Sequence, residues 1–470
     1  MKTIVVIGAG FCGTAVAVQL LRLAGEKPTR VLLLNRSGLM ARGVAYGTRT
    51  ESHLLNVPAG RMSALPDDPG SFLRYAQGRD ARISGASFVP RRWFGDYLEW
   101  LLTQATRAAA ANVRFRAMVG DAVDIQAVDG VAEIELASGE RLMADQVVLA
   151  LGNYAPADPP LADRGFFTSP RYVRDPWLPD ALWGVAPDQP VLLIGTGLTM
   201  LDVLLGLRAR GHTAPIYALS RRGLLPQAHR QLESPPQYAG RLAAKLKTLP
   251  SARLALKALR QELRAVEARG MDWRDVIGSL RHDTPAIWAQ WPEAERRRFL
   301  RHARTLWDVH RHRCAPQQNA ALCDELATRR LQVLAGRLLH CEDDLDGVNL
   351  RWQPRGDVAA RGLRVGSVIN CTGPAADTRQ LREPLLLALA RSGQLCRDTL
   401  GLGLETDAQY RLVDPEGQPS PVLRYVGPFL KARHWEATAV PELAAHAAQL
   451  AEQLMGEPHA VASTGQPLKV

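Results

Sequence analysis

The chain has 470 residues, 46% of them apolar and 22% charged, and a formal net charge of +11 at pH 7. The length allows two or three domains with sizeable cores, and the composition is that of an ordinary globular protein. No apolar run reaches the roughly 20 residues of a membrane span, so we expect neither a membrane segment nor a signal peptide. Arginine supplies nearly all of the positive charge and forms no stripe interleaved with aromatic residues, so nucleic-acid binding is not expected.

The N-terminal segment predicts a dinucleotide-binding turn. Thr3 to Ile7 has the pattern of a buried parallel strand, and an amphipathic helix is predicted to run through about Leu23. The turn between them is a GxGxxG sequence made of Gly8, Ala9, Gly10, Phe11, Cys12 and Gly13. The glycines permit a tight bend and a close approach to a pyrophosphate, which faces the N–H groups of the helix. We assign these residues to an adenine dinucleotide; the alternative is a glycine-rich turn without a ligand.

A second strand, Val31 to Leu34, ends where such folds usually carry an acid that bonds the ribose. This position holds Asn35, which can bond a ribose diol without a charge. We include Asn35 and the adjacent Arg36 in the same cofactor site.

A second turn of the same kind stands in the middle of the chain. A strand is predicted over Pro190 to Ile194 and a helix over Leu198 to Arg210. The cofactor-binding residues assigned to this turn are Gly195, Thr196, Gly197, Leu198 and Thr199. Met200 stands where a third glycine would be. Two such turns predict two dinucleotides held by one chain.

The strand after the second turn, Ile216 to Leu219, is followed by Ser220, Arg221 and Arg222. Arg222 lies 27 residues after Gly195, the same offset that separates Asn35 from Gly8. An arginine at this position can pair with the 2′-phosphate of NADP. We therefore expect NADPH, with NADH as the alternative. The competing interpretation is that the two arginines are a solvated strand end.

Two further predicted strands end in glycine turns, Gln146 to Leu151 before Gly152 and Ser367 to Thr372 before Gly373. We assign both glycines to cofactor turns where the chain leaves and re-enters the first domain. The predicted fold is α/β with two Rossmann-like domains, the FAD domain being interrupted by an NAD(P)H domain. The expected boundaries are 1–160 and 341–470 for the FAD domain and 161–340 for the NAD(P)H domain, which carries a helical insertion at about 236–330. A polar, loosely ordered tail is expected after about Gly456.

The six cysteines form no CxxC pair and no zinc-ligand spacing, so neither a disulfide framework nor a metal site is expected. This cysteine usage predicts a cytoplasmic location. Without a redox-active thiol pair, electrons from the flavin have to reach oxygen, a small acceptor or another protein.

Four segments resemble one family. They are GVAYGTRTESHLLNVPAGRMSALPDDPGSFLRYA (43–76), GTGLTMLD (195–202), WDVHRHRCAP (307–316) and WEATAVPE (435–442). They are similar to a bacterial FAD/NAD(P)-binding family that includes flavin-dependent urate hydroxylase of the HpyO type and the aspartate N-monooxygenase CreE. The resemblance implies FAD at the first turn, NAD(P)H at the second, and hydroxylation by molecular oxygen through a flavin hydroperoxide. The chain departs from related flavoproteins at Gly427-Pro428, where an aspartate commonly follows the glycine.

In this interpretation the segment His53 to Arg61 runs beside the flavin, with Asn56 and Ser63 as hydrogen-bond partners; the alternative is an ordered connecting loop. Thr438 precedes a helix predicted from about Val440, whose N-terminus would stabilise reduced flavin; the alternative is that Thr438 only caps the helix. The run His310 to Arg313 either binds an anionic substrate or complements a helix C-terminus. No catalytic side chain is identified, and a homo-oligomer is left open.

The leading functional hypothesis is an FAD-dependent, NAD(P)H-consuming monooxygenase acting on a small, anionic, nitrogen-containing substrate, with urate as the first choice. The alternatives are an amino-acid N-monooxygenase, an NAD(P)H dehydrogenase or diaphorase without oxygen transfer, and a non-catalytic redox sensor.

Overall fold

The computed structural model describes residues 1–128, 130–230, 238–375 and 377–456. The expected polar tail and the first two residues of the expected insertion lie outside these ranges. The strands are β1 Lys2–Ile7, β2 Thr29–Asn35, β3 Val113–Val119, β4 Ala122–Val128, β5 Val131–Leu136, β6 Arg141–Ala144, β7 Gln146–Leu149, β8 Tyr172–Val173, β9 Val191–Ile194, β10 Ile216–Ser220, β11 Leu331–Asp343, β12 Val348–Pro354, β13 Arg361–Val365, β14 Ser367–Asn370, β15 Arg411–Val413 and β16 Pro419–Tyr425.

The helices pack around these strands. They are α1 Phe11–Leu23, α2 Gly43–Tyr46, α3 Ser71–Arg79, α4 Arg91–Ala108, α5 Leu198–Ala209, α6 Leu242–Leu246, α7 Ala252–Glu267, α8 Trp273–Ser279, α9 Thr284–Ala289, α10 Glu293–His302, α11 Arg304–Arg311, α12 Pro316–Ala327, α13 Pro384–Arg391 and α14 Val440–Gly456. None of the helices in the described part of the chain combines the length and apolarity that crossing a membrane requires.

The first sheet has the order β15-β16-β7-β1-β2-β3 and joins the two ends of the chain. β1 pairs in parallel with β2 and with β7, and β7 pairs in parallel with β16. Strand β1 is almost entirely buried because helices cover the sheet. The antiparallel meander β4-β5-β6 lies in the connection between β3 and β7 and has no counterpart among the expected elements.

The second sheet has the order β13-β12-β11-β10-β9-β14-β8. Its centre is parallel, since β9 lies between β10 and β14 in parallel register. The sheet continues to Asn370, so the expected domain boundary at residue 340 would cut through β11 and is too early. The chain re-enters the first unit only after β14.

The segment between β10 and β11 carries the expected helices. Helices α6 to α11 form a separate layer whose core contains Trp288 and Trp291 and is shared with Trp435 of the C-terminal segment. Helix α12 belongs instead to the second sheet, because Leu322 is buried in the same core as β9 and β10. The insertion as a helical unit is therefore α6 to α11.

Candidate active site

The first turn has the expected backbone geometry. Gly8 has a φ of +104°, and a Cβ atom there would lie 2.5 Å from the carbonyl oxygen of Ala150. Its N–H donates to the carbonyl of Leu34 at 2.8 Å, which fixes the turn to β2. Gly8 and Gly10 are partly exposed, whereas Ala9, Phe11, Cys12 and Gly13 are buried. A bound pyrophosphate would therefore meet the backbone of the two glycines at the positive end of α1.

A short segment lies against this turn. A Cβ atom on Gly43 would lie 3.1 Å from the Cα atom of Gly10, so the two backbones approach closely because neither residue has a side chain. Gly43 begins α2, which leads to Tyr46. The first turn is thus partly covered by the chain itself.

The strand end next to the first turn is engaged in local contacts. The Asn35 side-chain amide donates to the Leu39 carbonyl at 2.8 Å, and Arg36 forms an ion pair of 2.9 Å with Glu383. Both side chains lie at the carboxyl edge of the first sheet, where the ribose of a dinucleotide is expected. Their role in holding the cofactor stays a prediction.

The second turn repeats the first. Gly195 has a φ of +113°, and a Cβ atom there would lie 2.5 Å from the Cys371 carbonyl oxygen. Its N–H donates to the Leu219 carbonyl at 2.8 Å. Gly197 is exposed with no atom near its missing Cβ, so a phosphate can approach its backbone. Met200 fills the place of the third glycine and is fully buried.

The strand-end arginines do not occupy the expected position. Ile7 is paired with Leu34 and Ile194 with Leu219, so the residue equivalent to Asn35 is Ser220 and not Arg222. The prediction from an equal offset of 27 residues was wrong, because the connection from the turn to the end of the next strand is two residues shorter in the second unit. The Ser220 hydroxyl shares a hydrogen bond of 2.9 Å with Thr196 and accepts the Gly223 N–H.

Arg221 and Arg222 open onto a polar basin of about 640 Å³. Six arginines line it: Arg221, Arg222, Arg301, Arg304, Arg337 and Arg355. The nearby carboxylates are Asp308 and Asp357, of which Asp308 lies 3.4 Å from Arg304. The basin therefore has an excess of positive charge next to the second turn.

The same two arginines also line a cleft of about 640 Å³ that joins several assigned segments. The lining includes the second turn from Gly195 to Thr199, residues 55–58 with Arg61 and Met62, the turn 371–374 and residues 438–440. Asn56 is in this lining, and its contact with the flavin stays a prediction. Asn153, which follows the exposed Gly152, brings the cleft to the strand end beside the first turn.

Ser63 does not share this position. Its buried hydroxyl bonds the carbonyl oxygens of Leu65 and Asp68, at 3.1 and 2.7 Å, and so closes a local turn. The expectation that Ser63 contacts the flavin is therefore not supported by its geometry. The segment from His53 to Arg61 is an irregular connection that ends in a short 3₁₀ turn, Ala59–Arg61.

Thr438 lies in the cleft just before α14 begins at Val440. Ala439 separates it from the helix, so Thr438 stands one position too early to be the N-cap. The positive end of α14 opens into the same cleft.

Cations dominate the cleft. They are Arg61, Arg91, Arg221, Arg222, Arg281, Arg311, Arg313 and Lys431. Two of them are neutralised by carboxylates of the C-terminal segment: Arg311 lies 2.8 Å from Glu436, without hydrogen-bond alignment, and Arg281 pairs with Glu442.

Arg313 and Lys431 have no ion pair within the described residues. Burial and Arg311 lower the pKa of Arg313 to about 10. Burial and Arg304 lower the pKa of Lys431 to about 8. Lys431 sits over the Trp435 ring, with its Nζ atom 4.3 Å from the centroid. An anion would stabilise the charged form of both side chains.

Two histidines in the cleft are uncharged at neutral pH. Burial lowers the pKa of His229 to about 4 and that of His312 to about 3. The Nε2–H of His229 donates to the Asn56 carbonyl at 2.9 Å, which links the second unit to the first. The four residues from His310 to Arg313 do not share one position. Arg311, His312 and Arg313 line the cleft, whereas His310 does not.

An ion pair behind the cleft also joins the two units. Arg91, at the start of α4, lies 2.7 Å from Asp202 of α5, which also accepts a hydrogen bond of 3.1 Å from Gln318. Burial raises the pKa of the Asp202 carboxyl, and Arg91 opposes this effect. No spacing in the sequence signalled this contact between residues 111 positions apart.

All six cysteines are free thiols, and the described residues hold no cluster of side chains suited to a metal ion. Burial raises the pKa of Cys12 to about 12 and that of Cys314 to about 11. These thiols stay protonated at neutral pH and are poor nucleophiles.

Residues 5–154 match a protein family described as FAD-NAD(P)-binding. A search of curated protein sequences found no match. This match does not by itself confirm the urate hydroxylase and aspartate N-monooxygenase group that the sequence motifs resemble.

Solved structures match nearly the whole chain. A reduced ornithine hydroxylase from Pseudomonas aeruginosa is 17% identical, with a TM-score of 0.63 over 97% of this chain and 99% of that chain. An L-lysine 6-monooxygenase from Pseudomonas syringae is 17% identical, with a TM-score of 0.63 over 97% of this chain and 100% of that chain. An FAD-bound cadaverine monooxygenase from Erwinia amylovora is 14% identical, with a TM-score of 0.62 over 99% of this chain and 98% of that chain. At these identities the likeness concerns the fold, and it confirms the two Rossmann-like units.

Proposed function

We propose that the chain is an FAD- and NADPH-dependent monooxygenase that hydroxylates the nitrogen of a small substrate carrying an anionic group. The observation that carries the proposal is the shared cleft. The second dinucleotide turn, the segment around Asn56 and the N-terminus of α14 all line one cavity. A nicotinamide at the turn and a flavin at the helix end would therefore open onto the same cleft, as hydride transfer between them requires.

NADPH fits the second turn. Gly197 leaves room for the pyrophosphate, and Arg221 and Arg222 lie where the chain leaves the next strand. The arginine-rich basin offers bidentate donors to a 2′-phosphate, which NADH lacks.

FAD fits the first turn, where Gly8 and Gly10 present backbone to a pyrophosphate. Its ring system would reach the cleft past Asn153 and Gly373, towards Thr438 and α14. Bound flavin would supply the redox chemistry that carries electrons from NADPH to molecular oxygen. The helix end would stabilise negative charge on the reduced ring, and the Asn56 side chain, which lines the same cleft, would bond the edge of the ring.

The substrate is inferred from charge and from the comparisons. Arg313 and Lys431 both line the cleft and form no ion pair within the described ranges, so a carboxylate would complement them. The compared structures are named for the hydroxylation of ornithine, lysine and cadaverine, which supports an amine nitrogen as the acceptor. An amino acid meets both conditions. Urate, the first substrate expected from the sequence, is also an anion and belongs in the test panel, but no compared structure named above acts on it.

The test is a substrate screen on the purified protein with FAD and NADPH. The panel contains aspartate, ornithine, lysine, cadaverine and urate. NADPH oxidation, oxygen uptake, peroxide and hydroxylated product are measured together. We expect a carboxylate-bearing amine to accelerate NADPH oxidation and to yield N-hydroxylated product, whereas cadaverine, which has no carboxylate, does not.

The alternatives give different outcomes. One unchanging NADPH oxidation rate across the panel, with all oxygen recovered as peroxide, would contradict oxygen transfer and favour a dehydrogenase or diaphorase. Failure to bind any flavin would favour a nucleotide-binding sensor.

A further inference from the structure

The chain just before Asn56 is held by one arginine at the start of α4. The Arg91 N–H donates to the His53 carbonyl at 2.8 Å. The Arg91 side chain donates from Nε to the Leu54 carbonyl at 3.0 Å. One residue therefore bonds two successive carbonyl groups of the segment that leads to Asn56, and both Arg91 and Asn56 line the cofactor cleft.

The same arginine is held from the second dinucleotide unit. Its Nη2 atom donates to Asp202 Oδ2 at 2.7 Å, and Asp202 Oδ1 accepts a hydrogen bond of 3.1 Å from Gln318 Nε2. The Asp202 side chain is 2% exposed. A buried carboxylate with a donor on each oxygen has a fixed orientation, and a guanidinium is a planar, rigid fork. Arg91 is therefore fixed at its Asp202 end as well as at its Leu54 end.

Helix α5 also contacts the segment directly. A Cβ atom on Gly206 would lie 3.3 Å from the His53 Nε2 atom, so the helix approaches His53 closely because Gly206 has no side chain. Gly206 lies four residues after Asp202 and therefore on the same face of α5. One face of this helix thus supports the segment at two points.

Helix α5 is also the helix of the second dinucleotide turn. It begins at Leu198, which lines the cleft together with the glycines of the turn. Asp202 follows one helical turn later, as the last residue of the GTGLTMLD motif (195–202). The proposed function assigns a role only to residues 195–199 of this motif. The carboxylate that holds Arg91 therefore belongs to the same short helix as the proposed NADPH turn.

We propose that Asp202 is a positioning residue for the flavin: it fixes Arg91, Arg91 fixes the backbone before Asn56, and Asn56 is thereby presented to the edge of the ring. The flavin site of the first unit is then complete only when α5 of the second unit is in place. The inference rests on the proposed function, because it requires a flavin beside Asn56.

The test compares Asp202→Asn with a matched control, Glu325→Gln. Glu325 of α12 is 5% exposed and lies 2.9 Å from Arg208, near the other end of α5. Both residues of this pair belong to the second unit. Each variant removes the negative charge of a buried ion pair on α5, so a general loss of stability would affect both proteins.

Hydrogen exchange of the full-length protein without added nucleotide gives the first measurement. The amides of residues 53–57 should exchange about tenfold faster in Asp202→Asn, because a charged hydrogen bond that restrains their local opening is weakened. In Glu325→Gln these rates should stay within about twofold of the unmodified protein.

The flavin-loaded protein gives the second measurement. At saturating NADPH and without oxygen, Asp202→Asn should slow flavin reduction about tenfold and shift the visible absorbance of the bound flavin, because the ring is no longer held in one position. The dissociation constant of NADPH should stay within about twofold. Arg91→Lys keeps a cation beside Asp202 but cannot bridge it to the Leu54 carbonyl. This variant serves if Asp202→Asn does not fold, as judged by circular dichroism.

Unchanged exchange at residues 53–57 overturns the proposal, and so do equal effects of Asp202→Asn and Glu325→Gln. Faster exchange with an unaltered flavin spectrum and reduction rate also overturns it, since the segment would then not position the ring. Neither measurement involves oxygen or the organic substrate. Failure of the substrate screen would therefore contradict the proposed hydroxylation and leave the role of Asp202 standing.

Discussion

The two dinucleotide turns share a backbone and differ in what surrounds it. Gly8 and Gly195 have φ values of +104° and +113°, and each abuts a carbonyl oxygen of a neighbouring strand end. Beside the first turn the arginine at the strand end is paired with Glu383, whereas beside the second turn Arg221 and Arg222 face a basin rich in arginine.

In folds of this kind the turn sets where a pyrophosphate binds, while the strand end sets which nucleotide is preferred. A paired arginine adds little attraction for an extra phosphate. A group of arginines with few carboxylates attracts one strongly. This difference supports FAD at the first site and NADPH at the second.

The largest effect is expected from Gly195→Ala. The alanine would need a positive φ and would overlap the Cys371 carbonyl, so the turn would shift and NADPH affinity would fall about a hundredfold. Flavin content should not change. Gly8→Ala should give the opposite pattern. NADPH titration and flavin absorbance per chain measure both.

Gly211→Ala is the matched control. Gly211 has a φ of +84° with no atom near its missing Cβ. The alanine variant would therefore have the same backbone strain as the turn variants without disturbing either turn. If both turn variants fold and each loses both cofactors equally, the two turns do not serve separate nucleotides.

Asp202→Asn tests the contact that holds the two units together. The change leaves the guanidinium of Arg91 without its buried partner, so the free energy of unfolding should fall by about 3 kcal/mol. Urea unfolding measures it. Asp344→Asn, at an exposed pair with Arg364, should change stability far less, because solvent screens the attraction. Equal effects of the two variants would show that the buried pair does not stabilise the interface.

Arg222→Ala sharpens the difference between the strand ends. It should lower the affinity for NADPH about thirtyfold and change the affinity for NADH by no more than about twofold, because only NADPH has the 2′-phosphate. Arg36→Ala at the first strand end should change neither affinity. Fluorescence titration with both nucleotides provides the measurement, and equal losses for NADPH and NADH would remove the phosphate assignment.

The smallest effect concerns pH and the hydrogen bond from His229 to Asn56. Burial, then Arg313, lowers the pKa of His229 from 6.5 to about 4, so protons bind more tightly to the unfolded chain. Its contribution to stability is complete above pH 6.5 and is lost as the pH falls towards 4. Between pH 7 and 5.5 this loss amounts to about 1 kcal/mol.

His229→Gln keeps an N–H donor for the Asn56 carbonyl and removes the titration. The free energy of unfolding, measured at several pH values, should therefore decrease less steeply with falling pH for the variant than for the natural chain. If the free energy of unfolding depends on pH in the same way for both proteins, His229 is not the source of the stability lost at acid pH.

The sequence predicted the parts of the fold that depend on consecutive residues. Glycine spacing and apolar runs identified both turns, and the helices after them end within a residue of the expected positions, at Leu23 and Ala209. These features are local, so the pattern of neighbouring residues is sufficient to find them.

The failures concern spatial relations. Ser220, and not Arg222, matches Asn35, because register depends on the length of the connection as well as on residue count. Ser63 closes a turn with Asp68, a choice that depends on the path of the loop. The pair of Arg91 with Asp202 arises from tertiary packing, for which the sequence carries no periodic signal.

The chain around Gly43 lies against Gly10, whereas Gly197 faces solvent. A nucleotide at the first turn would therefore be partly covered by this segment. A nucleotide at the second turn would not be covered in this way. If the proposed assignment holds, the nucleotide at the first turn would exchange more slowly than the nucleotide at the second turn.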